Sequence, residues 1–98
     1  MLDNLTLATF SNGIGTPFRL DAGEASGLEL TLIEAEATRL GFRPDGSSPF
    51  SLIFRGPMQP ILPQKIHRLD HEILGVLELF MVPIGPDQTG MCYQVIFN

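Results

Sequence analysis

Apolar and polar residues alternate most cleanly at residues 91–98, where Met91, Tyr93, Val95 and Phe97 interleave with Cys92, Gln94, Ile96 and Asn98. A period of two in aromatic and β-branched residues predicts a strand. The run Val76-Leu77-Glu78-Leu79-Phe80-Met81-Val82 is nearly continuous in apolar character, which predicts a central strand covered on both faces. Residues 83–90 join these two strands as a hairpin loop. Phe50-Ser51-Leu52-Ile53-Phe54-Arg55 predicts another strand, ended by Gly56-Pro57 because proline cannot donate to a ladder. Phe18-Arg19-Leu20 reads as a brief strand. Near the start, Leu7, Phe10 and Ile14 are spaced as one face of a short helix capped by Asn4 or Thr6.

Two segments fit both periods. Leu28-Glu29-Leu30-Thr31-Leu32 alternates, and then the parity switches to Ile33, Ala35 and Ala37. A bulged strand explains the switch, and so does a helix through Leu30, Ile33, Ala37 and Leu40 stopped by Gly41. A helix interior seldom begins at Gly27-Leu28-Glu29-Leu30, so the strand is the better reading. Between Pro63 and Gly75, Ile66, Leu69 and Ile73 suit a helical face, whereas His67, Leu69 and His71 share one face of a strand.

Turn signals at Asn12-Gly13, Asp21-Ala22-Gly23, Ser26-Gly27, Pro44-Asp45-Gly46, Gly56-Pro57 and Gly85-Pro86-Asp87 divide these runs at short intervals. The pattern as a whole predicts a mainly β domain over residues 1–98. Its architecture is a small antiparallel barrel or sandwich of six to seven strands with one short N-terminal helix. Phe54, Leu79, Phe80, Val95 and Phe97 are the expected core.

Composition narrows the functional classes. The 98 residues suffice for one domain and are 44% hydrophobic, so a core forms without a metal or disulfide staple. The single Cys92 reads as a small buried hydrophobe. No segment reaches the roughly 20 apolar residues of a membrane span, and Asp3 has the wrong sign for a signal peptide, so the expected location is the cytoplasm. The net charge is −5, and Lys and Arg nowhere cluster, so a nucleic-acid partner is not expected.

Candidate chemistry concentrates in His67-Arg68-Leu69-Asp70-His71-Glu72. Two imidazoles and a carboxylate can bind zinc or exchange protons, which makes His67, Asp70 and His71 the candidates for a small hydrolytic or metal-assisted enzyme. Geometry decides between the readings. On a strand, four residues span roughly 13 Å, too far for two ligands of one zinc; on a helix, positions i and i+4 meet. Ser47, Ser48 and Ser51 lack the strand–Gly-x-Ser-x-Gly–helix setting of a nucleophile and read as turn residues. Asn12-Gly13-Ile14-Gly15 lacks the strand and lysine of a phosphate loop. Glu34 and Glu36 share a face if extended, where paired acids are usually solvated, and Arg55 at a strand end suits a salt bridge or a partner contact. A ligand-binding barrel needs about eight strands, more than the pattern supplies.

Leu62-Pro63-Gln64, His71, Leu74-Gly75, Phe80, Val82-Pro83-Ile84-Gly85 and Tyr93…Ile96-Phe97-Asn98 form an ordered series behind Phe50-Ser51-Leu52…Phe54-Arg55-Gly56-Pro57. This series resembles a family of small bacterial proteins classed only as a domain of unknown function. The family usually carries an aromatic residue where this chain has His67, within an extended stretch, and that resemblance favours a strand at 64–71. Some members are encoded near phage-tail-collar-like proteins, which implies an accessory or assembly role with a protein partner or a second copy. The expected function is therefore protein interaction, with no cofactor, and with Arg55, His67, His71 and Tyr93 as the expected contact residues.

Overall fold

The computed structural model describes residues 6–21, 26–37 and 49–97. A helix and six strands follow one another along the chain: α1 (Leu7–Ser11), β1 (Pro17–Leu20), β2 (Glu29–Ala37), β3 (Phe50–Gly56), β4 (Lys65–His71), β5 (Gly75–Pro86) and β6 (Met91–Phe97). The strands close into an antiparallel barrel in the order β1-β2-β3-β6-β5-β4. Within it β3, β6, β5 and β4 form a Greek key, three hairpin-linked strands with β3 returning beside β6. The expected turns at Asp21-Ala22-Gly23 and Pro44-Asp45-Gly46, with Ser47 and Ser48, fall wholly or partly outside the described residues.

Alternation explains most of the elements. In β3 every second residue is buried, from Phe50 through Leu52 and Phe54 to Gly56. In β4 His67, Leu69 and His71 are the inward set, so this segment takes the period of two. β2 is a strand whose pairing with β3 slips between Leu32 and Glu34, and the extra residue, Ile33, is the bulge behind the parity switch. The helix is one short turn. Thr6 accepts from the Thr9 N–H and the Thr9 hydroxyl accepts from the Thr6 N–H, a reciprocal cap. Ile14 lies past the helix end and is exposed, so only Leu7 and Phe10 pack inward.

Two expectations about β5 are corrected. The strand is not covered on both faces: Leu77, Leu79 and Met81 point inward, whereas Val76, Glu78 and Phe80 face outward. Phe80 is consequently not a core residue. The strand also continues through Pro83 to Pro86, where a loop was expected. A second slip in register, between Pro83 and Gly85, lets proline sit in the strand, and Gly85 takes the positive φ of 118° that the bulge requires.

Inward side chains from all six strands fill the barrel as one cluster with Phe10. Phe18 meets Phe54 edge to face at 5.0 Å in the middle. At one end Phe97 stacks on Phe50 at 4.6 Å and Phe10 closes over both, at 5.4 Å and 5.9 Å. Such pairs add about 0.5–1.5 kcal/mol each beyond their buried area. Phe54, Leu79 and Val95 are core residues as expected, and Phe97 packs against the core while half-buried. Among the described residues, no helix is long and apolar enough to cross a membrane.

Candidate interaction face

The histidines of β4 lie inside the barrel and do not converge. The His71 Nδ1 accepts from the N–H groups of Ile73 and Leu74, both at 3.1 Å, so its ring hydrogen sits on Nε2. That nitrogen donates to the Thr16 hydroxyl at 2.9 Å, which in turn donates to the Gly13 carbonyl. The ring also lies 4.3 Å from Phe18. His71 therefore ties the β4–β5 turn to the loop between α1 and β1. His67 donates through Nε2 to the Pro63 carbonyl at 2.8 Å and holds the β3–β4 connection. Asp70 lies on the opposite, outward side of β4. Four strand residues separate the rings by roughly 13 Å. Among the described residues, no group of three or more His, Cys, Asp or Glu is placed to hold a metal ion.

Tyr93 is an interior strut. It is 1% exposed, and its hydroxyl accepts from the Leu62 N–H at 2.9 Å, pinning the same connection from the other side. As surface contacts, His67, His71 and Tyr93 are thus corrected to structural residues: each faces the core because its strand parity points inward.

Arg55 forms the salt bridge that its strand-end position allows. Asp87 Oδ2 accepts from Arg55 Nε at 2.8 Å and from Nη2, while Oδ1 accepts from the Thr89 and Gly90 N–H groups at 2.8 and 2.9 Å. The Arg55 guanidinium, helped by these amides, holds the Asp87 carboxyl well below the usual carboxylate range. The Cys92 thiol reaches Asp87 Oδ2 at 3.5 Å; burial first, then the carboxylate, push it up and leave it a weak nucleophile. A Cβ on Gly90 would collide with the Gly56 carbonyl, so only glycine lets the loop close this tightly. On β2, the Glu34 carboxyl is raised by desolvation and by its neighbour Glu36. Pro17, Arg19, Asp70 and Glu72 line an open depression of about 410 Å³ whose charges are mixed.

The feature the pattern of residues did not announce is on the outer wall. Ile66 and Phe80 are directly paired across β4 and β5, and both point outward. Ile96 points outward on β6, two residues past the Val82–Gln94 pair at which the β5–β6 ladder ends. The exposures of Ile66, Phe80 and Ile96 are 61%, 49% and 52%, so large apolar side chains stand in solvent on all three strands. Its signal was available: Glu78 on β5 and Arg68 on β4 mark the wet side of each strand, and Phe80 and Ile66 share that parity.

A family model described as Domain of unknown function (DUF6916) matches residues 5–97. No curated protein and no solved structure matches the chain.

Proposed function

We propose, for a chain that belongs to the DUF6916 family of unknown function, that its work is protein–protein association through the outer wall of β4, β5 and β6. The observation that carries this reading is the outward Ile66–Phe80 pair, with Ile96 also outward on β6, on a barrel whose core is complete without them. Ile66, Phe80 and Ile96 are each about half exposed, so a partner that covers them recovers about half of the roughly 1.5–3 kcal/mol that full burial of each side chain is worth. The bonding of both histidines within the fold supports the same reading, since neither is aimed into a reaction site. An accessory role in an assembly, of the tail-like kind that the sequence resemblance implies, is its finer form.

The test is a photo-crosslinking residue placed at position 80 in the native cell, with position 89 in the exposed loop as control. Defined crosslinked species at 80 that are missing at 89 are expected. Equal, diffuse labelling at both positions would contradict the reading.

A further inference from the structure

We infer that His71 is a protonation latch on the β4–β5 turn, shut by the neutral imidazole and released when the ring takes up a proton. The His71 Nδ1 is the acceptor for two backbone amides, the N–H groups of Ile73 and Leu74, both at 3.1 Å. An imidazolium donates from both ring nitrogens and accepts at neither. Protonation therefore sets a third N–H against those two and takes away the anchor of the turn. The bond from Nε2 to the Thr16 hydroxyl at 2.9 Å is a donation in either charge state, so the ring stays tied to the α1–β1 loop while the turn lets go. His67, on the same inward face of β4, is the internal contrast. Its Nε2 donates to the Pro63 carbonyl, a bond that a charged ring keeps. The two histidines answer acid differently although both are buried.

The surroundings of the ring do not compensate a positive charge. Among the described residues, the other buried ionisable side chains are His67, Cys92 and Tyr93, none of them a carboxylate. Asp70 of β4 and Glu72 of the turn are exposed, and with Arg19 of β1, paired opposite Asp70, they line the depression open to solvent. On β5 the acid is Glu78, which faces outward. Residues 7–16, which make α1 and the loop after it, carry no ionisable side chain. Phe18 of β1 lies 4.3 Å away, tilted by 36°; it touches the ring whatever its charge and gives the two amides no acceptor. Release is local. Ile73 is 82% exposed, so its freed amide passes to water, whereas Leu74 is half-buried against the core and leaves it as the turn opens. The sign follows from the proton count. The open turn takes the proton near the free-imidazole value of roughly 6.5, and the closed turn has no place for it. Closure is therefore complete above that value and weakens as pH falls below it.

Amide hydrogen exchange and nitrogen NMR of the histidine rings test the latch on the whole chain, from about pH 7 to about 5.5, a window astride the free-imidazole value. At the upper end His71 should carry its hydrogen on Nε2. Protection of the Ile73 and Leu74 amides, corrected for the intrinsic exchange rate at each pH, should fall about tenfold across the window. The Leu52 and Phe54 amides of β3 should keep theirs. His71→Asn, whose side-chain oxygen can accept from the same two amides and which does not titrate, should remove the pH dependence. His67→Gln should retain it. Constant protection at 73 and 74 in the parent overturns the latch, as does an Nδ1–H tautomer at neutral pH. So does a His71→Asn protein that still loosens with acid, a His67→Gln protein that no longer does, or an equal loss at Leu52 and Phe54. If His71→Asn does not fold, the tautomer and the exchange profile of the parent decide.

Discussion

Asp87 gathers six donor atoms around one carboxylate, from Arg55, Thr89, Gly90 and Cys92, with consequences that can be measured. With its acidity strengthened by Arg55 and the two loop amides, its contribution to stability is present above the ordinary carboxylate value near 3.8 and is lost as pH falls through the lower folded value. The parent should therefore lose melting temperature more steeply than Asp87→Asn as pH drops from 5 to 2 (buffers spanning the roughly 3.9 of a free aspartate). Parallel curves would show that the corner carries no linkage. The raised Cys92 thiol predicts slow labelling by a thiol reagent in the native protein and fast labelling after unfolding. Residues of this kind were only partly legible in the sequence. Arg55 at a strand end suggested an ion pair, but its partner lies 32 positions away and is set by barrel closure. His67 and His71 drew attention as chemistry because two imidazoles beside two carboxylates outweighed the wet-side signal of Arg68 and Asp70 at the alternate positions of β4.

At the scale of elements, parity explains both the success and the miss. β3 and β6 were legible because polar residues punctuate them, β4 fitted both periods until the family resemblance favoured a strand, and the bulge in β2 was legible as a slip in rhythm. β5 was misjudged because Val76 to Val82 contains one charge, and one charge did not outweigh six apolar neighbours. Phe54→Ala, which empties space beside Phe18 in the barrel centre, should cost about 3–5 kcal/mol in urea unfolding. Phe80→Ser should stay within about 0.5 kcal/mol of the parent, as a surface change does. A large loss at Phe80 would place it in the core. β6 pairs along its whole length with β3 and through Met91–Gln94 with β5. Deleting residues 95–98 removes the buried Val95 and Phe97's stack on Phe50 together, and the circular dichroism of the truncated chain should be that of an unfolded protein.

For the whole molecule, the division of labour is between wall and interior. Six strands leave a barrel bore that side chains fill, so the inner face makes the fold and the outer wall carries the exposed apolar side chains proposed for association. The fold class was legible from turn spacing and alternation, whereas the proposed face became visible only when the consecutive strands β4, β5 and β6 were laid side by side. Methyl NMR of isoleucine and leucine with a soluble paramagnetic relaxation agent tests this division most directly. The account predicts that the outward Ile66 and Ile96 methyls broaden strongly while the inward Leu52 and Leu69 methyls stay sharp. Equal broadening of all four, or broadening that spares Ile66 and Ile96, would contradict it.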